Sequence, residues 1–396
     1  MTIFSVALKY LRGRLVASSL TTFSVAIGVI LVISTPLLTR GVKDGFIEGT
    51  TDYNLIVGAK GSPTQLVLNA IFRMDTPTPN IPYTAYEDLK NDSRVDVAVP
   101  AVMGDAYQGF RHVSTTGEYF KAFSWRRRKF TLSEGRFFRD DPPDQPTYEA
   151  LLGSEVAKRT ELKRGDKFYE GEEMVEYPLT VVGILQPTHG PDDRTIFFSL
   201  ASFWEMQEIA RGMTVKPLTA VLIRPKRMSD LPSLHREFNV APETQAVFPS
   251  SVLLNIFNLL STAEEVLRIV LGIVVVVVLL SLFVSMYSAT LERKREIATM
   301  RALGARRATI LAIILLESLI IAAIGGIIGV AGGHGVAYLG AQIIERQGGL
   351  AMNPFLFSSL QPVVLGSVIL LGTLAGLIPA LMAYRTEVAE NLAPLS

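Results

Sequence analysis

Apolar positions along this chain form four long uncharged stretches separated by segments of quite different character. Leu15–Thr39, Ile269–Leu291 and a core from Pro362 to Met382 contain no Asp, Glu, Lys, Arg or His, and Ala308–Ile344 is interrupted only by Glu317 and His334. A helix crossing a bilayer needs roughly 20 predominantly apolar residues, so the pattern predicts four spans, over 15–39, 266–291, 308–344 and 362–384. Residues 1–14 read differently. Ile3, Phe4, Ala7, Leu8 and Leu11 recur at helical spacing while Lys9, Arg12 and Arg14 fall elsewhere, the pattern of a short amphipathic helix lying at a membrane surface.

Residues 40–265 carry ordinary globular patterning. Leu179–Leu185 and Thr219–Ile223 are β-rich runs near prolines, whereas Tyr83–Lys90, Leu200–Arg211 and Leu231–Phe238 read as helices. At the far edge, Leu253, Ile256, Phe257 and Leu260 mark a helix with no Pro or Gly before the second span. Thr39–Glu48 extends the first span in the same way, with Pro36 and Gly41 as points for a kink. The fold class that follows is an α-helical membrane protein with four transmembrane helices. A large mixed α/β extracytoplasmic domain is inserted between the first and second helices, with helical stalks at both ends.

Composition sharpens this. Only 19% of the 396 residues are charged and 49% are hydrophobic, against about 25% charged in typical soluble domains. Residues 40–265 hold 26 basic and 31 acidic side chains, and the remainder 12 basic and 6 acidic. The net charge of +1 therefore hides an acidic domain and a basic membrane part, and no nucleic-acid partner is expected. Absence of cysteine excludes a disulfide framework, a thiolate metal site and a cysteine nucleophile.

Short-loop Lys and Arg give the orientation. Lys9, Arg12 and Arg14 precede the first span, and Arg293, Lys294, Arg295, Arg301, Arg306 and Arg307 crowd the link between spans two and three. The N-terminus, the 292–307 link and the 385–396 tail are thus expected in the cytoplasm, with 40–265 and the 345–361 loop outside. The Arg126–Lys129 cluster lies deep in a long translocated domain, where the rule has little force. The first span is too long for a cleaved signal peptide and reads as a retained anchor.

Catalytic patterns are missing. The sequence has no Gly-Lys dipeptide and hence no Walker phosphate loop, no His-Glu-x-x-His and no Gly-x-Ser-x-Gly. His189 with Asp192 and Asp193 reads as a polar turn rather than a metal site. Glu317 lies nine residues beyond Ala308, roughly 14 Å along a helix at about 1.5 Å per residue, which places it near the inner surface, to bond a neighbouring helix or the link. His334, among Gly332, Gly333 and Gly335, is placed near the outer surface. For both, structural satisfaction outweighs ion or proton handling. Gly325, Gly326, Gly329 and Gly333 form a small-residue face for close helix packing, within the chain or between copies.

The link itself is the most informative segment. Glu292–Arg307 is amphipathic, with Ile297, Met300 and Leu303–Gly304 on one face and Arg293, Glu296 and Arg307 on another. Membrane anchoring and a cap at Gly304 account for its charges. A short helix bearing both signs and an apolar face additionally suits docking into a protein groove.

Glu292 to Ala305, reading Glu-Arg-Lys-Arg-Glu-Ile-Ala-Thr-Met-Arg-Ala-Leu-Gly-Ala, closely resembles the signature of FtsX-like permeases, the membrane subunits of ABC systems of the MacB and LolC–LolE type. Glu317 with the Gly-rich run resembles that family's third span. Pro379-Ala380 with Arg385 and Leu392 resembles its ending, and Leu8–Arg12 to Gly28 its beginning. Glu134–Phe138, Leu152–Ala157, Arg164–Asp166 and Val182–Ile184 resemble the MacB-like periplasmic core.

The resemblance implies a permease subunit in a bacterial inner membrane that pairs with a second copy, identical or not. It implies a cytoplasmic ABC ATPase as a separate polypeptide, which holds the ATP and Mg, and no cofactor or metal on this chain. Glu292, Arg293, Arg295, Glu296 and Arg301 would ion-pair with the ATPase, and Leu303 and Gly304 would supply close apolar contact. Motion would pass through the spans to the outer domain, for export through a duct, lipoprotein release or, least favoured, hydrolase activation. Membrane lipids and a periplasmic adaptor or lipoprotein complete the expected partners. The rival reading is a membrane-anchored sensor without transport activity, and an intramembrane enzyme using Glu317 and His334 lacks a nucleophile or metal trio.

Overall fold

The computed structural model describes residues 3–74, 76, 78–125, 128–140, 145–169, 178–211, 216–348, 352, 355 and 360–385. Arg126, Arg127, the tail from 386, including Leu392, and most of the expected 345–361 loop lie outside these residues. Contacts divide the chain into two compact units, one of Met1–Gly41, Ser261–Ala341 and Asn353–Ser396, the other of Val42–Leu260 with Gln342–Met352.

The first unit is helical. Helix α1 spans Ile3–Gly13 and α2 Leu15–Gly49; α3 spans Pro249–Glu292, α4 Lys294–Ala302 and α5 Arg307–Gly348. The C-terminal helices are α6, Leu360–Ala375, and α7, Leu377–Arg385. Among the described residues, four helical stretches are long and apolar enough to cross a membrane, Leu15–Gly49, Pro249–Glu292, Arg307–Glu345 and Gln361–Tyr384. Pro36 lies within α2 without ending it, and α3 runs unbroken for 44 residues, so it supplies residues to both units. The fourth stretch is interrupted by one turn at Gly376, between α6 and α7. A Cβ there would meet Ser318 Oγ at 2.4 Å, so the turn brings this backbone against α5. Where a loop was expected from 345, α5 continues to Gly348.

In chain order, the α/β elements lie between α2 and α3. The strands are β1 Leu55–Ala59, β2 Val95–Tyr107, β3 Phe110–Thr115, β4 Leu132–Gly135 and β5 Glu149–Leu152, then β6 Lys167–Phe168, β7 Leu179–Leu185, β8 Thr195–Ser199, β9 Ala220–Pro225 and β10 Thr244–Val247. Among the described residues they form one 10-stranded sheet in the order β10-β1-β9-β2-β3-β8-β5-β7-β4, with β6 on β7. The pairs β3–β8 and β5–β7 are parallel and the remaining pairs antiparallel.

Successive residues on a strand point to opposite faces, and here both faces are covered. Leu55, Val57, Phe198 and Val221 join one core, packed with Tyr86, Leu89 and Leu234 of the helices Tyr83–Asn91 and Leu231–Val240. Ile56, Phe197 and Leu222 join a second, aromatic core with Phe72, Tyr119, Phe120 and Phe123. Val252, Leu253 and Phe257 of α3 enter this second core, as do Phe46 of α2 and Ile344 of α5. The Phe46 ring stands edge-on to Phe72, centroids 4.6 Å apart, and to Phe257 at 6.4 Å. These residues of α2, α3 and α5 belong to the second unit.

Candidate functional site

The link forms its own short helix, α4, because Gly304 stops it. Gly304 N–H donates to Arg301 O and Ala305 N–H to Met300 O, both at 3.0 Å, and Gly304 has φ +97°. This is a Schellman closure, whose left-handed position favours glycine. Among the described residues nothing lies within 4 Å of the position a Gly304 Cβ would take.

Ile297 and Ala298 are buried and Met300 packs on the helical core. Leu303, expected beside them, is 84% exposed, because the closing turn carries it off the helical face. Lys294, Arg295 and Glu296 are exposed and Arg301 is half-buried. Glu292 is exposed but engaged, its Oε1 accepting from Arg14 Nη2 at 2.8 Å.

Arg293 departs most from expectation. Rather than facing out to dock, its Nη1 donates to both Glu317 oxygens, at 2.9 and 3.2 Å, and its Nη2 to the Tyr10 carbonyl at 3.1 Å. The guanidinium also lies 4.2 Å from the Tyr10 ring centroid, a cation–π distance. The Glu317 side chain is 3% exposed and that of Arg293 14%. A buried carboxylate needs a charged partner, and the Arg293 guanidinium supplies it through Nη1, shared between the two oxygens. Tyr10 O–H reaches Met300 Sδ at 3.6 Å; burial, then the nearby Glu296, raises its phenol above the ordinary range. Tyr10 thereby ties α1, α4 and α5 together. An aromatic among basic residues on an amphipathic helix was its only sequence signal.

The glycine face of α5 is turned mainly onto α2. A Cβ on Gly325 would meet Val25 at 2.8 Å, one on Gly329 would meet Val29 at 2.4 Å, and one on Gly333 would meet Ile33 at 2.8 Å. Gly326 instead faces Leu365 of α6. His334 Nε2 lies 3.4 Å from Gln361 Oε1 and its ring stacks on Phe355, so it sits in a polar packing contact.

Asp192 and Asp193 form no metal cradle, and no group of three or more potential ligands occurs among the described residues. Asp193 accepts from Thr188 N and Oγ1 and from His189 N at 2.7–2.9 Å. Asp192 points into the aromatic core, accepting from Tyr119 O–H at 3.0 Å and Arg73 Nη2 at 3.4 Å. Burial raises its carboxyl, with Arg73 opposing.

Two sequence families match. The MacB-like periplasmic core domain covers residues 18–239, more than half of the chain, and the FtsX-like permease C-terminal domain covers 268–388. The chain belongs to the FtsX-like permeases with a MacB-like periplasmic core. An uncharacterized ABC transporter permease of Methanocaldococcus jannaschii is 24% identical over 98% of this chain and 97% of its own length. The macrolide export ATP-binding/permease protein MacB of Azoarcus sp. (strain BH72) is 26% identical over 98% of this chain, which spans 58% of that relative. The periplasmic region of MacB from Actinobacillus actinomycetemcomitans aligns in three dimensions over 54% of this chain and 98% of its own length, with 10% identity and a TM-score of 0.38. This FtsX-like permease is therefore a membrane component of an ABC transporter of the MacB/FtsX type, and membership implies a cytoplasmic ATPase as partner.

Proposed function

We propose that the protein works as a mechanical transmitter. A cytoplasmic ATPase docks on α4, and its ATP-driven motion passes through the membrane helices to the α/β unit. The supporting observation is the division of labour at α4: Arg293 turns inward to anchor the helix on Glu317 and Tyr10, which leaves Arg295, Glu296 and Leu303 outward. Docking then falls to Arg295, Glu296, Arg301 and Leu303, with Glu292 at the edge and Gly304 permitting close approach.

The helices support transmission rather than conduction of a polar cargo. Glu317 is neutralised by Arg293, His334 is packed against Gln361 and Phe355, and α5 is seated on α2 along its glycines. A two-state element driven from one end needs such a stiff path. On this reading the four long helices cross the inner membrane with both termini and α4 inside. A second copy pairs with this chain, and cargo is handled by the α/β unit, for export or lipoprotein release.

Reversing both charges, Glu296→Lys with Arg301→Glu, tests the docking. Membrane insertion is expected to stay intact while transport-linked ATP hydrolysis by the partner ATPase falls. Unchanged hydrolysis contradicts the docking role.

A further inference from the structure

An apolar trench runs along α2, α3 and α6. One part, about 490 Å³, is lined by Arg40, Arg268 and Gln361 at one end, and by Pro36, Leu271 and Gly272 below them. A second part, about 200 Å³, continues to Leu282 and Leu371. Val32, Val275 and Val364 line both parts, so they form one trench. Along α3 the apolar wall from Leu271 to Leu282 is roughly 16 Å long at about 1.5 Å per residue, close to one leaflet of a hydrocarbon core about 30 Å thick.

The polar end carries a feature that the packing does not explain. Gln361 is 5% exposed. Its Oε1 lies by His334, but its Nε2 has no acceptor among the described residues. A buried donor without an acceptor costs free energy, and it sits where the trench meets two guanidinium side chains.

We propose that the trench binds an anionic glycerophospholipid of the surrounding bilayer. One acyl chain lies along Val275 and Val364, an ester carbonyl accepts from Gln361 Nε2, and the phosphate rests at Arg268 and Arg40. The arginines select a phosphate-bearing lipid over the diacylglyceryl anchor of a lipid-modified protein, which has acyl chains but no phosphate. A lipid held there fills the space between α2, α3 and α6. The inference rests on the reading that these helices cross the bilayer with Arg40 and Arg268 at the outer interface.

The test uses the full chain in vesicles of phosphatidylethanolamine and phosphatidylglycerol with a trace of photoactivatable acyl-diazirine phosphatidylglycerol. Labelling of peptides bearing Val275 and Val364 is read relative to the lipid-facing Leu280. Combined Arg268→Glu and Gln361→Leu are expected to lower the trench labelling about tenfold, the loss of a charge-assisted contact. Val275→Trp, which fills the trench, is expected to abolish it, and Val276→Trp on the exposed side to leave it unchanged. Unlabelled phosphatidylglycerol competes and unlabelled diacylglycerol does not. Equal labelling in Val275→Trp and Val276→Trp, or no response to the double variant, overturns the lipid site. Equal competition by diacylglycerol overturns the phosphate assignment. ATP hydrolysis by the partner ATPase, measured in parallel with Glu296 and Arg301 reversed, reports the transmitter reading separately.

Discussion

The two units keep their shape by opposite means. In the α/β unit, large side chains are inside: Tyr119, Phe123, Phe197 and Phe198 are all but fully buried. In the helical unit α3 leaves large apolar side chains outside, with Val276, Val277 and Leu280 each more than half exposed, while Leu282 and Met286 are buried and glycines of α5 give the close approach to α2. Where the solvent is water, burial sorts residues by hydrophobicity. Where it is hydrocarbon, a valine gains little by moving inward, and close backbone approach through glycine decides the contact. Buried polarity differs as well. The α/β unit holds a network of Tyr53, Tyr119, Asp192 and Arg73, whereas in the helical unit the buried Glu317 is met by Arg293, itself held by the Tyr10 carbonyl.

The contrast predicts that the same kind of change has unequal consequences. Gly329→Leu should have the largest effect. Its Cβ would lie 2.4 Å from Val29 and 2.9 Å from the Ala26 carbonyl, and overpacking of this kind costs about 3 kcal/mol or more. Loss of folded protein after membrane extraction checks it. Arg73→Met, which strands Asp192 in the aromatic core, should destabilise the α/β unit by about 3 kcal/mol, measured by thermal unfolding of the full chain.

Acidification should act on the α/β unit more gently. Burial pushes the Glu149 carboxyl up, but Arg136 and the Arg139 N–H more than offset it, leaving it below the usual carboxylate range. A carboxylate so held contributes stability above its ordinary value that is lost as pH falls through the lowered one. Thermal midpoints should therefore decline below about pH 4.5, and Glu149→Gln should flatten that decline. The smallest effect is expected for Val276→Leu on the exposed side of α3, within about 0.5 kcal/mol.

The sequence reading succeeded where a single segment carries its own signal. Charge-free runs marked the four long helices, and Leu179–Leu185 and Thr219–Ile223 were legible as strands from their β-rich composition near prolines. Leu55–Ala59 and Thr195–Ser199 are buried at every position, so they lack the period of two that identifies a strand, and strand order depends on contacts far apart in the chain. The same limit explains Arg293. Its charge and its neighbours placed it on a docking surface, while the Tyr10 carbonyl that draws it inward lies 283 residues away. Glu317 was legible as a partner for the link because helical rise alone set its depth.

The most direct test of the transmitter account exploits the absence of cysteine. A single cysteine replacing Leu303, in membranes that hold the partner ATPase, is treated with a short bifunctional cross-linker. The account predicts a covalent adduct with the ATPase whose yield changes between nucleotide-free and ATP-bound conditions. A Leu303→Cys side chain that forms no such adduct, and that reacts instead with an impermeant thiol reagent supplied only from outside the cell, contradicts it.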